Sequence, residues 1–540
     1  MTIETTTIDF LPNEVILVVF LWTKAYADLR GDDHFGPPSC VDLSHVSKRW
    51  RSLALACQEL WTNWPRYGAA IPWTEVCRER SSTASLDLCL LVGSESELEP
   101  PTAAVVQLAT ENFARARSIL IRPHSTFDHY MTDLGPFMQT IVQLSHESAP
   151  LLENLRLENP DATMHLPFIG APLLFAAQEL PHLRQLSLRG YLVSVSDTMH
   201  MSSLCTLNIQ FASAWFNADQ MIQFLKGMPN LEELTYLYDD SEEGYDDDDD
   251  DDDALHSTDK APSTTHSIRC VPFPRMKRLR LPRRGGFKSG ALLFSYCAFA
   301  PQTALCFEAD TIYLDWDAHL ELAANALRDH FAGAITQGQS YDVITVNNRI
   351  IKPDISRQTS PSHALPADLS FSISHSPIDI GYPDTVLRSS CELYLSLPIF
   401  TGASELHVAR DEHSCYGFLK LYPPLPVLRV LVLKRDAIAE VMNHLSNCSH
   451  QFPALEVLRL ADFDCRATAA LIRPNSRDTI ARDIVEALYT CLHHGSTKTW
   501  RYVEFERFRY GEHVAEKIRS EPELQDLNER VEIRCIDCYD

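Results

Sequence analysis

The sequence predicts an α/β chain: a small N-terminal helical module, then a solenoid of strand–turn–helix units with strands on its concave side and helices on its convex side. Three observations predict it. Two apolar helical segments fall within the first 66 residues, the phrase L-x-x-L-x-L recurs through most of the remainder, and one acidic run interrupts the recurrence.

The helical module spans residues 9–66. In "FLPNEVILVVFLW", Pro12 suits the first turn of a helix and Glu14 complements its dipole. Val15 to Leu21 is apolar on every face, so this helix needs cover on nearly all sides, more than sixty residues supply. "TKAYADLRGDDHFGPPSC", Thr23 to Cys40, reads as a loop because Gly, Asp and Pro cluster in it. A second helix follows, with Leu43, Val46, Trp50, Leu53 and Cys57 at steps of three and four. Leu60 and Trp61 return to the same apolar cluster before Pro65.

Residues 67–140 form a connecting region, and the repeated phrase then takes over. It appears as "LENLRL" (Leu152–Leu157), "LRQLSL" (Leu183–Leu188), "LCTLNI" (Leu204–Ile209), "MKRLRL" (Met276–Leu281), "LRVLVL" (Leu428–Leu433) and "LEVLRL" (Leu455–Leu460). Looser copies are "LEELTY" (Leu231–Tyr236), "QTALCF" (Gln302–Phe307) and "ASELHV" (Ala403–Val408). The last two apolar positions are two apart, which is the strand period, and the first sits in the preceding turn. First positions lie 31, 21 and 27 residues apart from Leu152 to Leu231, and 27 apart from Leu428 to Leu455. That is in or near the spacing of leucine-rich repeats, about 20–29 residues. "NADQMIQFLKGM" and "DTIARDIVEALYTCLHHG" carry helical spacing between strands, which gives a parallel sheet backed by helices.

The repeats occupy residues 141–238 and, less regularly, 269–540 with a C-terminal cap. No clear copy falls between about 340 and 400, and the usual asparagine or cysteine after the last leucine is missing from "LRQLSLRGY" and "LEVLRLADF". Residues 239–268 form an acidic insertion, with twelve acidic residues in the first fifteen, too polar to order itself.

The N-terminal segments resemble the F-box family. The matching residues are Leu11, Pro12, Glu14, Val15, Ile16, Val19, Phe20, Leu43, Val46, Ser47, Lys48, Trp50, Arg51, Leu53, Leu60 and Trp61. With "WRSLAL", "LWT" and irregular repeats, the chain looks like the expanded F-box families of mushroom-forming (basidiomycete) fungi. The resemblance implies a three-helix F-box-like module that docks on a Skp-family adaptor, and through it on a cullin scaffold. It implies adaptor-binding roles for Leu11, Pro12, Val15, Ile16, Val19, Phe20, Val46, Trp50 and Leu53, with Trp50 mainly structural and the Leu11–Pro12 end nearer the contact. The repeats would hold an unknown protein substrate. The implied function is that of a substrate receptor in a cullin-RING (SCF-type) ubiquitin ligase, not an enzyme; a scaffold acting without a ligase is the alternative. The predicted loop from Thr23 to Cys40 is longer than the family norm.

Composition limits the partners. The formal charge, 47 − 73 = −26, opposes general binding to nucleic acid or anionic membranes. The apolar run Val15 to Trp22 is only eight residues long and follows Asp9 and Glu14, so it reads neither as a signal peptide nor as a membrane span. Fifteen scattered cysteines read as free thiols of a reducing compartment, cytoplasm or nucleus. A local basic patch, Lys277, Arg278, Arg280, Arg283 and Arg284, is a candidate for anion or peptide binding, weighed against a solvated face and a nuclear-import patch. Arg278 and Arg280 are expected to point outward while Leu279 and Leu281 face in. "CIDC", Cys535 to Cys538, lacks the two further ligands of a zinc site, and no phosphate loop, nucleophile elbow or metalloprotease motif accompanies it. No cofactor or metal is expected.

Overall fold

The computed structural model describes residues 8–30, 37–67, 70–92, 102–123, 148–158, 180–189, 201–210, 215, 217–237, 262–281, 287–300, 303–310, 316–346, 350–354, 370–374, 393–409, 423–434, 438, 451–462, 477–493 and 499–539. They fall into two compact units, Met1–Leu234 and Thr235–Asp540, both mixed α/β with largely parallel strands. Arg283, Arg284 and the Asp run lie outside the described residues.

The first unit opens with α1 (Asn13–Arg30), α2 (Cys40–Val46) and α3 (Lys48–Ala56). Two expectations change here. Helix α1 runs eight residues past the start of the predicted loop, because Lys24, Ala25, Ala27, Leu29 and Arg30 are good helix formers and the first glycine comes only at Gly31. The predicted second helix is two helices. Ser47 adopts an extended conformation between them, and its hydroxyl accepts from Trp50 N at 3.1 Å, capping α3.

A 3-10 turn, Gln58–Trp61, leads to β1 (Asn63–Trp64), α4 (Ile71–Ser81), β2 (Leu86–Val92), α5 (Thr102–Glu111), β3 (Ala116–Pro123), β4 (Asn154–Glu158), β5 (Gln185–Arg189), β6 (Thr206–Gln210), α6 (Ala218–Lys226) and β7 (Glu233–Leu237). Strands β1 to β6 pair in chain order, every pairing parallel. Glu232 N and Glu233 N then donate to Cys205 O, at 2.8 and 2.9 Å, ahead of β7.

The second unit contains β8 (Val271–Phe273), β9 (Arg278–Leu281), α7 (Phe287–Tyr296), β10 (Cys297–Phe299), β11 (Ala304–Asp310), α8 (Trp316–Thr336), β12 (Val343–Val346), β13 (Ile350–Asp354), β14 (Ser370–Ser374), α9 (Pro398–Thr401), β15 (Glu405–Ala409), β16 (Val430–Lys434), β17 (Val457–Ala461), α10 (Arg477–His493), β18 (Tyr502–Glu506), α11 (Gly511–Ser520), α12 (Gln525–Arg530) and β19 (Glu532–Ile536). Its spatial order is β9-β11-β14-β13-β12-β15-β16-β17-β18-β19. Strand β13 alone among these runs antiparallel to both neighbours. β8 and β10 form a separate parallel pair.

All nine copies of the phrase end in a strand, and its local chemistry explains why. In "LPHL", "MPNL", "FPRM", "LPVL" and "FPAL" the last residue's N–H donates to the carbonyl three back, at 3.2 Å in each. Proline, with φ already set, stands at the second position of each of these turns. The residue after the turn then bonds to its counterpart in the preceding repeat: Arg184 N to Glu153 O, Cys205 N to Arg184 O, Arg429 N to Ser404 O and Glu456 N to Arg429 O, all at 2.8 Å. Each repeat is thereby set in register before its strand begins.

The register stacks like on like. Leu155, Leu186 and Leu207 align, as do Leu157, Leu188 and Ile209. In the second unit Ile344, Leu406, Leu431, Leu458, Val503 and Ile533 form one row. Burial of each such leucine stabilises the fold by about 1.5–3 kcal/mol. Strand β12 fills part of the stretch where no copy was legible. Its "YDVITV" buries Tyr341, Ile344 and Val346 at the same spacing, with an aromatic ring in place of the first leucine.

Candidate functional site

Helix α1 carries an inward stripe and an outward apolar stripe. Ile16, Phe20 and Lys24, spaced by four, face inward, and the Phe20 ring meets Trp50 of α3 edge-on with centroids 4.9 Å apart. The other stripe comprises Val15, Val18, Val19, Trp22 and Tyr26, spaced by three and four. It is exposed: Trp22 is 74% accessible, Tyr26 61% and Val18 52%. Phe10 before the helix and Val46 at the end of α2 are exposed as well, at 78% and 58%.

The start of α1 is clamped rather than loose. The Arg49 guanidinium donates to Asn13 Oδ1 through Nε at 2.9 Å and Nη2 at 2.7 Å, and Nη2 also reaches Leu11 O. Ile16 N closes the first turn on Pro12 O at 3.2 Å. The outer stripe therefore sits on a fixed element.

Lys24 ties the helix to the sheet. Its ammonium donates to Asp87 Oδ2 on β2 at 2.9 Å, and the same carboxylate accepts from Thr62 Oγ1 at 3.0 Å and Arg117 Nη2 at 3.0 and 3.1 Å. Burial by itself raises the Asp87 pKa, but the Lys24 and Arg117 charges overcome burial and hold it below the usual value. Tyr67 continues this junction beyond β1: its hydroxyl donates to Cys89 O at 2.9 Å and accepts from Leu91 N at 2.8 Å, satisfying the β2 edge where β1 has ended.

The residues named from the sequence thus separate into two groups. Pro12, Val15, Val19 and Val46 are exposed, and Leu11 and Leu53 are half-buried. Ile16, Phe20 and Trp50 are packed inside the module, at 1%, 0% and 8% exposure, so they hold the surface in shape without offering a face of their own. Phe10, Val18, Trp22 and Tyr26 complete the exposed surface and were missed. The 15-18-19-22-26 spacing was present in the sequence, but it emerges only when the helix extends through Tyr26.

A second surface is built from outward strand positions of the second unit. Arg459 Nε donates to Glu504 Oε2 at 2.9 Å, and the Arg459 guanidinium also lies 4.0 Å from Glu405 and 3.7 Å from Glu506. Arg534 pairs with Glu532 at 3.0 Å and places its guanidinium carbon 3.7 Å over the centre of the Tyr502 ring. His407 Nε2 is 2.6 Å from Glu405 Oε1, and that hydrogen bond, outweighing burial, holds the Glu405 carboxyl below its usual pKa. Opposite charges pair here within and across strands, and with two arginines among four glutamates the face keeps a net negative charge. Lys277, Arg278 and Arg280 are exposed on and beside β9, with Leu279 and Leu281 buried between them.

Among the described residues, no three His, Cys, Asp or Glu side chains gather to hold a metal ion, and no helix is long and apolar enough to cross a membrane. No protein-family model matches the chain, and comparison with curated proteins finds no match.

Proposed function

We propose that this chain is the substrate-receptor subunit of a cullin-RING (SCF-type) ubiquitin ligase. It docks on a Skp-family adaptor through an F-box-like module, residues 9–66, and holds a protein substrate on leucine-rich repeats that form a solenoid. It does no chemistry itself and supplies proximity between substrate and a ubiquitin-charged enzyme, in the cytoplasm or nucleus. The observation that carries this reading is the doubled apolar character of α1: after one stripe has made the module's core, a second, Val15 to Tyr26, remains exposed on a rigid helix. A contiguous apolar surface of this kind marks an interaction site. The F-box resemblance of the surrounding residues supplies the class of partner, and the constant register of the repeats supports the solenoid.

The test is co-expression with a Skp-family adaptor followed by size-exclusion chromatography. Co-elution is expected, and the pair Val18→Glu with Trp22→Glu abolishes it while the unfolding midpoint stays in place. An unsubstituted chain that elutes apart from the adaptor overturns the proposal.

The second reading, a binding scaffold without a ligase, draws on the junction with the sheet. Strand β1 pairs with β2, and Lys24 is bonded to Asp87, so the helices serve equally as a cap that closes the first edge of the repeats. Failure of adaptor binding together with capture of partners through the strand face favours this reading.

A further inference from the structure

The dipeptide-spaced thiols of "CIDC" take no part in the function proposed above, yet the repeat gives them a defined geometry. The residue that follows each of the last three strands is left-handed: Asp462 at φ 55°, Arg507 at 46° and Asp537 at 51°. An extended residue followed by a left-handed one turns the chain as a type II turn does, bringing residues three apart to within about 7 Å. In β18 this sets Phe505 against Phe508, with ring centroids 5.3 Å apart. Cys535 stands in register with Phe505, so Cys535 and Cys538 occupy the same two positions one strand later.

Cys538 is held in place from several directions. Its thiol donates to Phe505 O at 3.2 Å, while the next residue's backbone is tied by Tyr510 N to Tyr539 O at 2.7 Å. Gly511, the first residue of α11, makes room for the sulfur, since a Cβ at that position would collide with Cys538 Sγ and stand 3.3 Å from Phe505 Cβ. Both thiols are partly accessible, and the Cys535 thiol lies against Cys538 and the Glu512 carboxylate.

We propose that Cys535 and Cys538 are a reversible dithiol–disulfide pair that exchanges with small disulfides such as oxidised glutathione. Burial, then the neighbouring Cys538 and Glu512, push the Cys535 thiol up to about 12, so it keeps its proton and Cys538 reacts first. Cys538 gives its proton to water, and its thiolate attacks one sulfur of the small disulfide, forming a mixed disulfide and releasing one thiolate, which takes up a proton from water. Cys535 then gives its proton to the Glu512 carboxylate or to water, and its sulfur attacks Cys538 Sγ and expels the second thiolate. Two protein thiols are oxidised and one small disulfide is reduced to two thiols, with no other reagent.

The test equilibrates the full chain in glutathione buffers of increasing oxidation, quenches with acid, alkylates and maps the peptides by mass. The peptide carrying both residues is expected to lose two hydrogens and escape alkylation in oxidising buffer, and to regain both thiols in reducing buffer. Cys535→Ser should trap a mixed disulfide on Cys538. Cys538→Ser should leave Cys535 forming a mixed disulfide at least about tenfold more slowly than Cys538 does in Cys535→Ser. Alkylation of both cysteines in every buffer overturns the proposal, and so does a Cys535→Ser chain that accumulates no mixed disulfide while its thermal unfolding is unchanged.

Discussion

Apolar side chains serve opposite ends in two regions of this molecule. Among the described residues, ten of the fifteen large apolar side chains that are exposed fall between Ile8 and Leu55. In the rows of the second unit, by contrast, Ile344, Leu406, Leu431, Leu458 and Val503 are all 0% exposed. The residue types are the same, and what differs is the number of faces that find a neighbour. A row leucine has its counterparts on the strands at either side, in register with it, and it is fully buried. On α1 the Ile16–Phe20–Lys24 stripe is buried, while Val15, Val18, Val19, Trp22 and Tyr26 stay exposed. Identical chemistry therefore produces stability in one region and an available surface in the other.

The comparison is broken most directly in the rows. Leu458→Ala, between Leu431 and Val503, is expected to cost about 2–5 kcal/mol in urea unfolding, because the neighbouring strands close the resulting cavity only in part. An unchanged midpoint would mean that the row is not a packed core.

Next in size is the junction between α1 and β2. Asp87→Ala leaves the Lys24 ammonium, 8% exposed, without its carboxylate, and is expected to cost about 1–3 kcal/mol. The pH dependence has a definite sign. A carboxyl whose folded pKa lies below the unfolded value of about 3.9 contributes above that value and loses its contribution as pH falls through the folded pKa. Acid titration of stability below about pH 4 should accordingly be shallower in Asp87→Ala than in the unsubstituted chain.

The outer stripe should behave in the reverse manner. Trp22→Ala is expected to change stability by about 0.5 kcal/mol or less while weakening the proposed adaptor binding by about 2 kcal/mol, roughly thirtyfold. Calorimetric titration against the adaptor, beside thermal unfolding, separates the two quantities. A stability loss equal to that of Leu458→Ala would erase the distinction between the regions.

A pH effect sharpens the comparison from within the core. His330 on α8 is 3% exposed, has no hydrogen-bond partner among the described residues, and is enclosed by Phe299 and Phe331, with ring centroids 4.7 and 4.6 Å away. Burial, assisted by the Arg269 charge, lowers its pKa from 6.5 to about 3. The unfolded chain therefore binds this proton first, and stability should fall by about 1.4 kcal/mol per pH unit as pH drops below about 6.5, levelling near 3. His330→Phe should remove that slope. A slope that persists assigns the acid sensitivity elsewhere.

The rows were legible from the sequence because their cause is local. Leu183, Leu186 and Leu188 sit at the spacing of a turn followed by a strand, and proline in "LPHL" marks where the turn begins. Strand β12 was not legible, since Tyr341 replaces the expected leucine and a pattern read by residue type passes over it. The split at Ser47 was hidden in the same way: Leu43 to Cys57 keeps helical spacing across the break, and only the hydroxyl's bond to Trp50 N reveals it. The helical extension through Tyr26 was masked by the glycine and prolines that follow it, and with it went Trp22 and Tyr26.

The sequence by itself determined the repeated strand, the turn that precedes it, the parallel α/β class and the apolar excess of α1, all of which depend on residues within a few positions of one another. Only the tertiary structure decided which stripe of α1 is core and which is surface. That choice depends on Trp50, 30 residues on, and on Asp87, 63 residues beyond Lys24. Periodicity specifies that a helix has faces, but a face becomes interior only when distant chain covers it, and that cover is decided by packing.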